Sequence, residues 1–335
     1  MQAMVVSQRN PIENRPMHWS ELADPQPGWK EIRVKVRCCA ICRTDLHVIE
    51  GDLERQKLPV VPGHQVVGDV ESLGPGCERW AIGQRVGIAW LRHTCGKCDY
   101  CVAGKENLCE RARFTGYHED GGYAELAVIH EDYAYEIPVA MSDDQAAPML
   151  CAGIIGYRAL ERACLPVGGK LVLFGFGSSA HMVLQLARAR GSEVFVVSRG
   201  TRHQTLAREL GAVWVGETAE GLPVKVDSAI LFAPVGHLVP PALASLRKGG
   251  TLAVAGIHLT PVPELDYQKY LFYERDLRSV TANTRADGCA LLEEAAKIKL
   301  QPRVVHFGIE EANEALRALK EDQIQGTGVL HVGND

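Results

Sequence analysis

Up to about residue 150 the apolar positions come in short runs, many alternating with polar ones and broken by glycine or proline. Segments 32–36 (Ile-Arg-Val-Lys-Val), 66–70, 85–89 and 124–128 are of this kind. A period of two bounded by turn residues predicts short strands, and their close spacing predicts a β-rich domain. Beyond Ala152 the pattern changes to apolar runs alternating with helical periodicity. Strands are expected near 170–175, 193–198, 213–215, 226–232, 250–257 and 277–283, with helices near 178–190, 201–210, 237–247 and 266–274. That alternation implies an α/β half built on a doubly wound parallel sheet. From Asp287 a further helical pattern leads to a strand-like 328–332, expected to return to the first domain. There is no repeat at solenoid periods and no low-complexity segment.

The length of 335 residues suits two domains. With 46% hydrophobic and 23% charged residues, a net charge of -5 and ordinary Gly and Pro levels, the composition excludes disordered, collagenous and membrane-spanning classes. Both signs of charge are interspersed, so neither nucleic acid nor a membrane surface is an expected partner. No run approaches the ~18 apolar residues of a membrane helix, and the first ten residues lack the apolar core of a secretory signal. The expected compartment is the cytoplasm and the expected partners are small molecules. Eleven cysteines are then the unusual feature, because a reducing compartment favours metal binding or catalysis over disulfides, and an odd count forbids full pairing.

Four of the eleven fall within fifteen residues: Cys95, Cys98, Cys101 and Cys109. Two-residue spacers let one loop wrap a tetrahedral Zn²⁺, and four thiolates make a closed, structural site. Disulfide pairs and an iron–sulfur cluster are the weaker alternatives, the latter because the last spacing is unusual for it. Cys42 in Cys42-Arg43-Thr44-Asp45-Leu46-His47, His64 in Gly63-His64-Gln65, and Cys151 make a Cys₂His set of the type that leaves zinc an open position. Taken singly, each is as readily a small buried hydrophobe or a satisfied histidine. Cys38, Cys39, Cys77, Cys164 and Cys289 carry no assigned chemistry. Farther along, the buried run 171–174 is followed by Gly175-Phe176-Gly177-Ser178-Ser179-Ala180 and a helical pattern to Arg190. Strand, Gly-x-Gly-x-x-Ala and helix in that order form the dinucleotide-binding fingerprint. The next strand ends in Ser198 and Arg199, without the acidic residue that grips an adenosine ribose, so NADP is preferred over NAD.

These five motifs, in this order over essentially the whole chain, resemble the zinc-dependent alcohol dehydrogenases of the medium-chain dehydrogenase/reductase superfamily. The resemblance implies a GroES-like catalytic domain over 1–152 and 286–335 and a Rossmann cofactor domain over 153–285. It implies two zinc ions per chain, a catalytic one on Cys42, His64 and Cys151 and a structural one on the four-cysteine loop. It implies a proton relay from the alcohol through the Thr44 hydroxyl and the cofactor ribose to His47, with Asp45 orienting His64. Arg43 would face the cofactor pyrophosphate, and Gly175, Gly177, Ser178, Ser179, Ser198, Arg199, Ala255 and Ile257 would line the rest of the cofactor. Gln65 stands where many members carry Glu, so it is left out of the ligand set.

The resemblance also implies a substrate cleft near Thr44, Ile49, Leu53, Trp90, Tyr117 and Ile257. Ile49 and Leu53 stand where small-alcohol members tend to carry Trp. Aliphatic side chains enlarge an apolar cleft without adding a polar handle, so medium-chain or aromatic primary alcohols are expected. A polyol or threonine-type dehydrogenase of the same fold is the alternative within the class. Outside it stands a catalytically silent zinc- and nucleotide-binding protein. Family habit implies a dimer or tetramer.

Overall fold

In the strand Glu31–Ala40, alternation sends Ile32, Val34 and Val36 into the core while Arg33, Lys35 and Arg37 point outward. A register shift between Val36 and Cys38 interrupts this period, and beyond it Cys38, Cys39 and Ala40 are all buried. This strand pairs with Val66–Leu73, with Leu126–His130 and with Thr327–His331. It is the centre of a seven-stranded sheet that runs Val304–Gly308, Thr327–His331, Glu31–Ala40, Val66–Leu73, Arg85–Ile88, Ala134–Glu136, with Leu126–His130 also on the central strand. All pairs are antiparallel except the first, in which the two C-terminal strands run parallel.

The computed structural model describes residues 1–53 and 57–333. The chain divides into two units, Met1–Ala152 with Ala282–Asp335, and Gly153–Thr281. The return to the first unit falls at Ala282 rather than at the expected 286. Local contacts explain the earlier boundary: Asn283 Nδ2 donates to the Tyr135 hydroxyl at 3.5 Å, Thr284 caps the helix Arg285–Ile298, and Arg285 pairs with Glu106.

The second unit is a six-stranded, wholly parallel sheet in the order Trp214–Gly216, Glu193–Val197, Lys170–Phe174, Val226–Leu231, Leu246–Val254, Asp276–Ser279. Numbered along this unit, that is the order 3-2-1-4-5-6 of the Rossmann fold. Buried on both faces, its inner strands read as continuous apolar runs such as Leu171–Phe174 and Val194–Val197. The helices Ser178–Ala189 and Thr201–Glu209 lie where periodicity puts them. Four elements differ from expectation. Pro240 and Pro241 fix the start of the helix Val239–Ser245, which is shorter than 237–247. The following strand begins at Leu246, ahead of 250, with a register shift and Gly249 at φ 73° inside it. Asp276–Ser279 and the helix Tyr267–Tyr270 are shorter than their apolar runs. Among the described residues no helix is long and apolar enough to cross a membrane.

Candidate metal and cofactor sites

Cys42 ends the turn after the central strand and caps the helix Arg43–Glu50. Its Sγ accepts from the Thr44 N–H at 3.3 Å, and its own N–H donates to Asp45 Oδ2 at 2.8 Å. The other oxygen of Asp45 accepts from His64 Nδ1 at 3.0 Å. A carboxylate only accepts, so this contact assigns the proton to Nδ1 and turns Nε2, with its lone pair, toward Cys42 Sγ at 3.4 Å. His64 follows Gly63, whose φ of 93° and lack of a side chain let the backbone pass the Tyr123 ring; a Cβ there would meet it at 2.3 Å.

Cys151 comes from the π-helical turn Met149–Gly153, directly after Pro148, which supplies no N–H to the helix ladder. Its Sγ lies 4.0 Å from that of Cys42, and the three donor atoms of Cys42, His64 and Cys151 fall within 4.8 Å of one another.

Electrostatics favour a cation at this point. Burial works against a charged imidazole, yet the Asp45 carboxylate and the Cys42 sulfur outweigh it and push His64 up to about 10. Contact with the Cys151 thiol holds Cys42 well below the ordinary thiol range, and the same contact with burial pushes Cys151 above it. Two sulfurs sharing a proton beside a proton-hungry imidazole are a donor set that a divalent ion satisfies by displacing protons. Gln65 is fully buried with Oε1 accepting from the Ala152 N–H at 3.4 Å, while its Nε2 has no hydrogen-bond partner.

The second cysteine cluster is a loop folded on itself. Cys98 precedes the short helix Asp99–Val102, which carries Cys101, and Cys109 follows the turn Glu106–Leu108. The four sulfurs lie within 4.8 Å of one another, with Cys98 to Cys101 at 3.5 Å and Cys95 to Cys101 at 4.0 Å. Backbone hydrogen bonds from Lys97 and Cys98 draw the Cys95 thiol down to about 6. At Cys98 a backbone hydrogen bond from Cys101 is outweighed by burial and contact with the other three sulfurs, which push it up to about 11, so the sulfurs share protons that a bound ion would displace. Four sulfurs at these separations fit a tetrahedral ion and leave no protein-free position. The lobe is tied down by Glu106, which accepts from the Arg285 backbone N–H and Nη2, both at 2.8 Å. The five other cysteines are free thiols, with Cys38 and Cys39 buried and Cys164 and Cys289 exposed.

Around the first cluster, Thr44 is half-buried and Arg43 exposed. His47 Nδ1 lies 2.7 Å from Asp52 Oδ2, a partner with no signal in the sequence. Trp90 meets the His64 ring edge-on at 4.9 Å and stacks on Phe114 at 4.9 Å and Tyr117 at 5.9 Å. Phe114 and His118, which stack on each other at 5.6 Å, extend this aromatic wall and escaped the sequence reading, because a strand end and a loop carry no shared period. Leu53 is half-buried. Ile49 has no exposed surface and packs into the first unit's core, so it leaves the set of cleft-lining residues.

In the second unit, Gly175 has φ 87° and passes the Ala233 backbone so closely that a Cβ would lie 2.9 Å from its nitrogen. At Gly177 a Cβ would meet nothing within 4 Å, so no packing within the protein demands glycine there. No side chain caps the helix Ser178–Ala189 that begins at Ser178 and Ser179. A bare turn opening onto uncapped amides fits a pyrophosphate. Ser198 is buried and its N–H donates to the Gly216 carbonyl at 2.9 Å, whereas Arg199 is exposed at the strand end. Ala255 donates to the Leu231 carbonyl at 2.9 Å, and Ile257 is half exposed.

Residues 28–139 match the alcohol dehydrogenase GroES-like domain, and 180–297 match the zinc-binding dehydrogenase family. The chain is 48% identical to the probable alcohol dehydrogenase AdhA of Mycobacterium tuberculosis, over 98% of this chain and 97% of that one. It is 34% identical to an alcohol dehydrogenase of Geobacillus stearothermophilus over 99% and 100%. Among solved structures, a cinnamyl alcohol dehydrogenase of Sorghum bicolor superposes with a TM-score of 0.89 at 27% identity, covering 98% of this chain and 97% of that one. The chain therefore belongs to the zinc-binding alcohol dehydrogenases of the medium-chain dehydrogenase/reductase superfamily.

Proposed function

We propose that this chain is a zinc-dependent alcohol dehydrogenase and aldehyde reductase that uses NADP(H) in preference to NAD(H) and acts on medium-chain or aromatic primary alcohols. The observation that carries the reading is the convergence of Cys42 Sγ, His64 Nε2 and Cys151 Sγ on one point, with Asp45 fixing the imidazole. Three protein donors leave a tetrahedral ion one position for substrate. When bound, zinc lowers the pKa of the alcohol hydroxyl and polarises the carbonyl, and the nicotinamide exchanges the hydride.

The chain's own residues then have separate tasks. Thr44 both accepts and donates a proton through one hydroxyl and takes the proton from the alcohol. His47, its Nδ1 held by Asp52 at 2.7 Å, passes that proton to solvent. Asp45 keeps His64 in one tautomer. Gly175, Gly177, Ser178 and Ser179 receive the pyrophosphate, with Arg43 as a further cation, and Cys95, Cys98, Cys101 and Cys109 hold the structural ion. Ser198 and Arg199 bind the 2′-phosphate by charge-assisted hydrogen bonds. Ala255 and Ile257 complete the cofactor set. Trp90, edge-on to His64 and stacked on Tyr117, gives an aromatic surface beside the imidazole, to which Leu53 is assigned as an apolar neighbour, and this suits a planar substrate; the sorghum relative's name refers to such an alcohol.

Steady-state kinetics with both cofactors over ethanol, hexanol, benzyl alcohol and sorbitol test this directly. The expected result is kcat/KM rising from ethanol to hexanol and benzyl alcohol, and higher with NADP. An optimum at sorbitol overturns the substrate assignment, and no turnover on any alcohol overturns the enzymatic reading. In Arg199→Asp, loss of a charged hydrogen bond and gain of repulsion should lower kcat/KM for NADP by about 10–100-fold and spare NAD. An unchanged preference rejects the role of Arg199.

A further inference from the structure

A third group of metal-type donors lies in the first unit, away from both cysteine clusters. Val304–Gly308 and Thr327–His331 run parallel with His306 opposite Val329 and Gly308 opposite His331. The two histidines therefore sit diagonally on one face of the pair. Asp144, in the first turn of the helix Asp143–Pro148, completes the group. His306 Nδ1 is 3.0 Å from His331 Nε2, Asp144 Oδ1 is 3.1 Å from His331 Nε2, and His306 Nδ1 is 3.7 Å from Asp144 Oδ1.

Hydrogen bonding alone does not satisfy these atoms. Asp144 Oδ1 is shielded from solvent and accepts no hydrogen bond of adequate geometry, although His331 Nε2 is near. The adjacent Asp143 is occupied differently, by Arg37 and Arg85. A neutral His331 carries at most one proton on Nε2 and cannot direct it at both neighbours, so one lone pair is left facing another at close range. A cation resolves this. Donor atoms bound at about 2.0–2.2 Å to one ion stand roughly 3.0–3.6 Å apart; two of the separations here, 3.0 and 3.1 Å, fall in that range and the third, 3.7 Å, lies just beyond it.

We propose that Asp144, His306 and His331 bind a divalent first-row transition-metal cation, with water in the remaining positions. Two imidazoles and one carboxylate select a zinc-, cobalt- or nickel-type ion over the oxygen-seeking Mg²⁺ and Ca²⁺. All three donors stand on regular elements, so little ordering is needed on binding. The ion fastens the two C-terminal strands to the helix that leads into Cys151.

The test is a titration of the full-length, zinc-loaded chain with Co²⁺, followed by calorimetry and visible absorbance. The expected result is one further equivalent per chain, with a spectrum lacking the thiolate-to-cobalt charge-transfer band that cobalt at either cysteine site would give. His306→Gln, at an exposed position where folding is insensitive, and His331→Gln should each abolish that equivalent while zinc content stays unchanged. Thermal melting should rise with Co²⁺ in the parent and not in the variants. Absence of a further equivalent, its retention in both variants, or a thiolate band overturns the proposal. None of these readouts depends on turnover, so the result is independent of the catalytic assignment.

Discussion

Asp45 makes two contacts at once, holding the Cys42 N–H through one oxygen and His64 Nδ1 through the other. Asp45→Asn keeps only one acceptor oxygen and leaves the other contact to an amide that cannot accept. Zinc affinity at the Cys42, His64 and Cys151 site should then fall by about 10–100-fold, with activity lost in step. Chelator competition reads this, with the four-cysteine lobe as an internal reference whose zinc should not change. Gly63 is constrained by both conformation and space, so Gly63→Ala should cost roughly 2–4 kcal/mol in denaturant unfolding, from left-handed strain and contact with Tyr123 together. The four-cysteine cluster is legible in the chain because its spacings are short and its chemistry is rare, whereas Cys42, His64 and Cys151, spread over more than a hundred residues, are joined as a zinc site by the family resemblance rather than by spacing. Asp52 beside His47, and Phe114 and His118 beside Trp90, are not legible: an acid or aromatic in a loop acquires meaning only from the side chain it meets.

The cysteine lobe is a small element with little apolar core, so the proposed structural ion and Glu106 would together set its order. If the chain holds the two zinc ions proposed, Cys98→Ser should remove one of them and expose the loop around 95–109 to proteolysis. Burial raises the Glu106 carboxyl, but the hydrogen bonds and charge of Arg285 outweigh it and hold its pKa below the ordinary 4.5. A depressed carboxylate contributes stability above its unfolded pKa and loses it as pH falls through the folded one. The contribution is therefore full at pH 7, begins to fall as pH nears the ordinary 4.5 and is gone only below the lower folded value. Arg285 is part-exposed, so the pair contributes about 1 kcal/mol, and Glu106→Gln should lower stability at pH 7 by that amount while flattening the acid limb of the pH profile. Elements of this size are where periodicity fails. The expected 277–283 and 266–274 contract to Asp276–Ser279 and Tyr267–Tyr270, because apolar composition marks burial without marking where hydrogen bonding ends.

At the scale of the whole molecule, alternation of strand and helix beyond Ala152 was enough to expect the parallel sheet, and 328–332 was enough to expect a return to the first unit. The strand order was not readable, since pairing Thr327–His331 with Glu31–Ala40 joins segments almost a chain length apart. Co²⁺ at Asp144, His306 and His331 should act at this scale too, tying the two C-terminal strands to the helix Asp143–Pro148, far away in the chain. The same layout sets an order of events during synthesis. Gly153–Thr281 is one continuous stretch, whereas the sheet around Glu31–Ala40 waits for two strands made last. On the ribosome, the later-encoded Rossmann unit is complete while the earlier-encoded sheet still has an open edge on its central strand. Nascent chains stalled before Val304 would expose that edge to chaperones and to one another, a vulnerability that ends only when Thr327–His331 emerges and pairs with it.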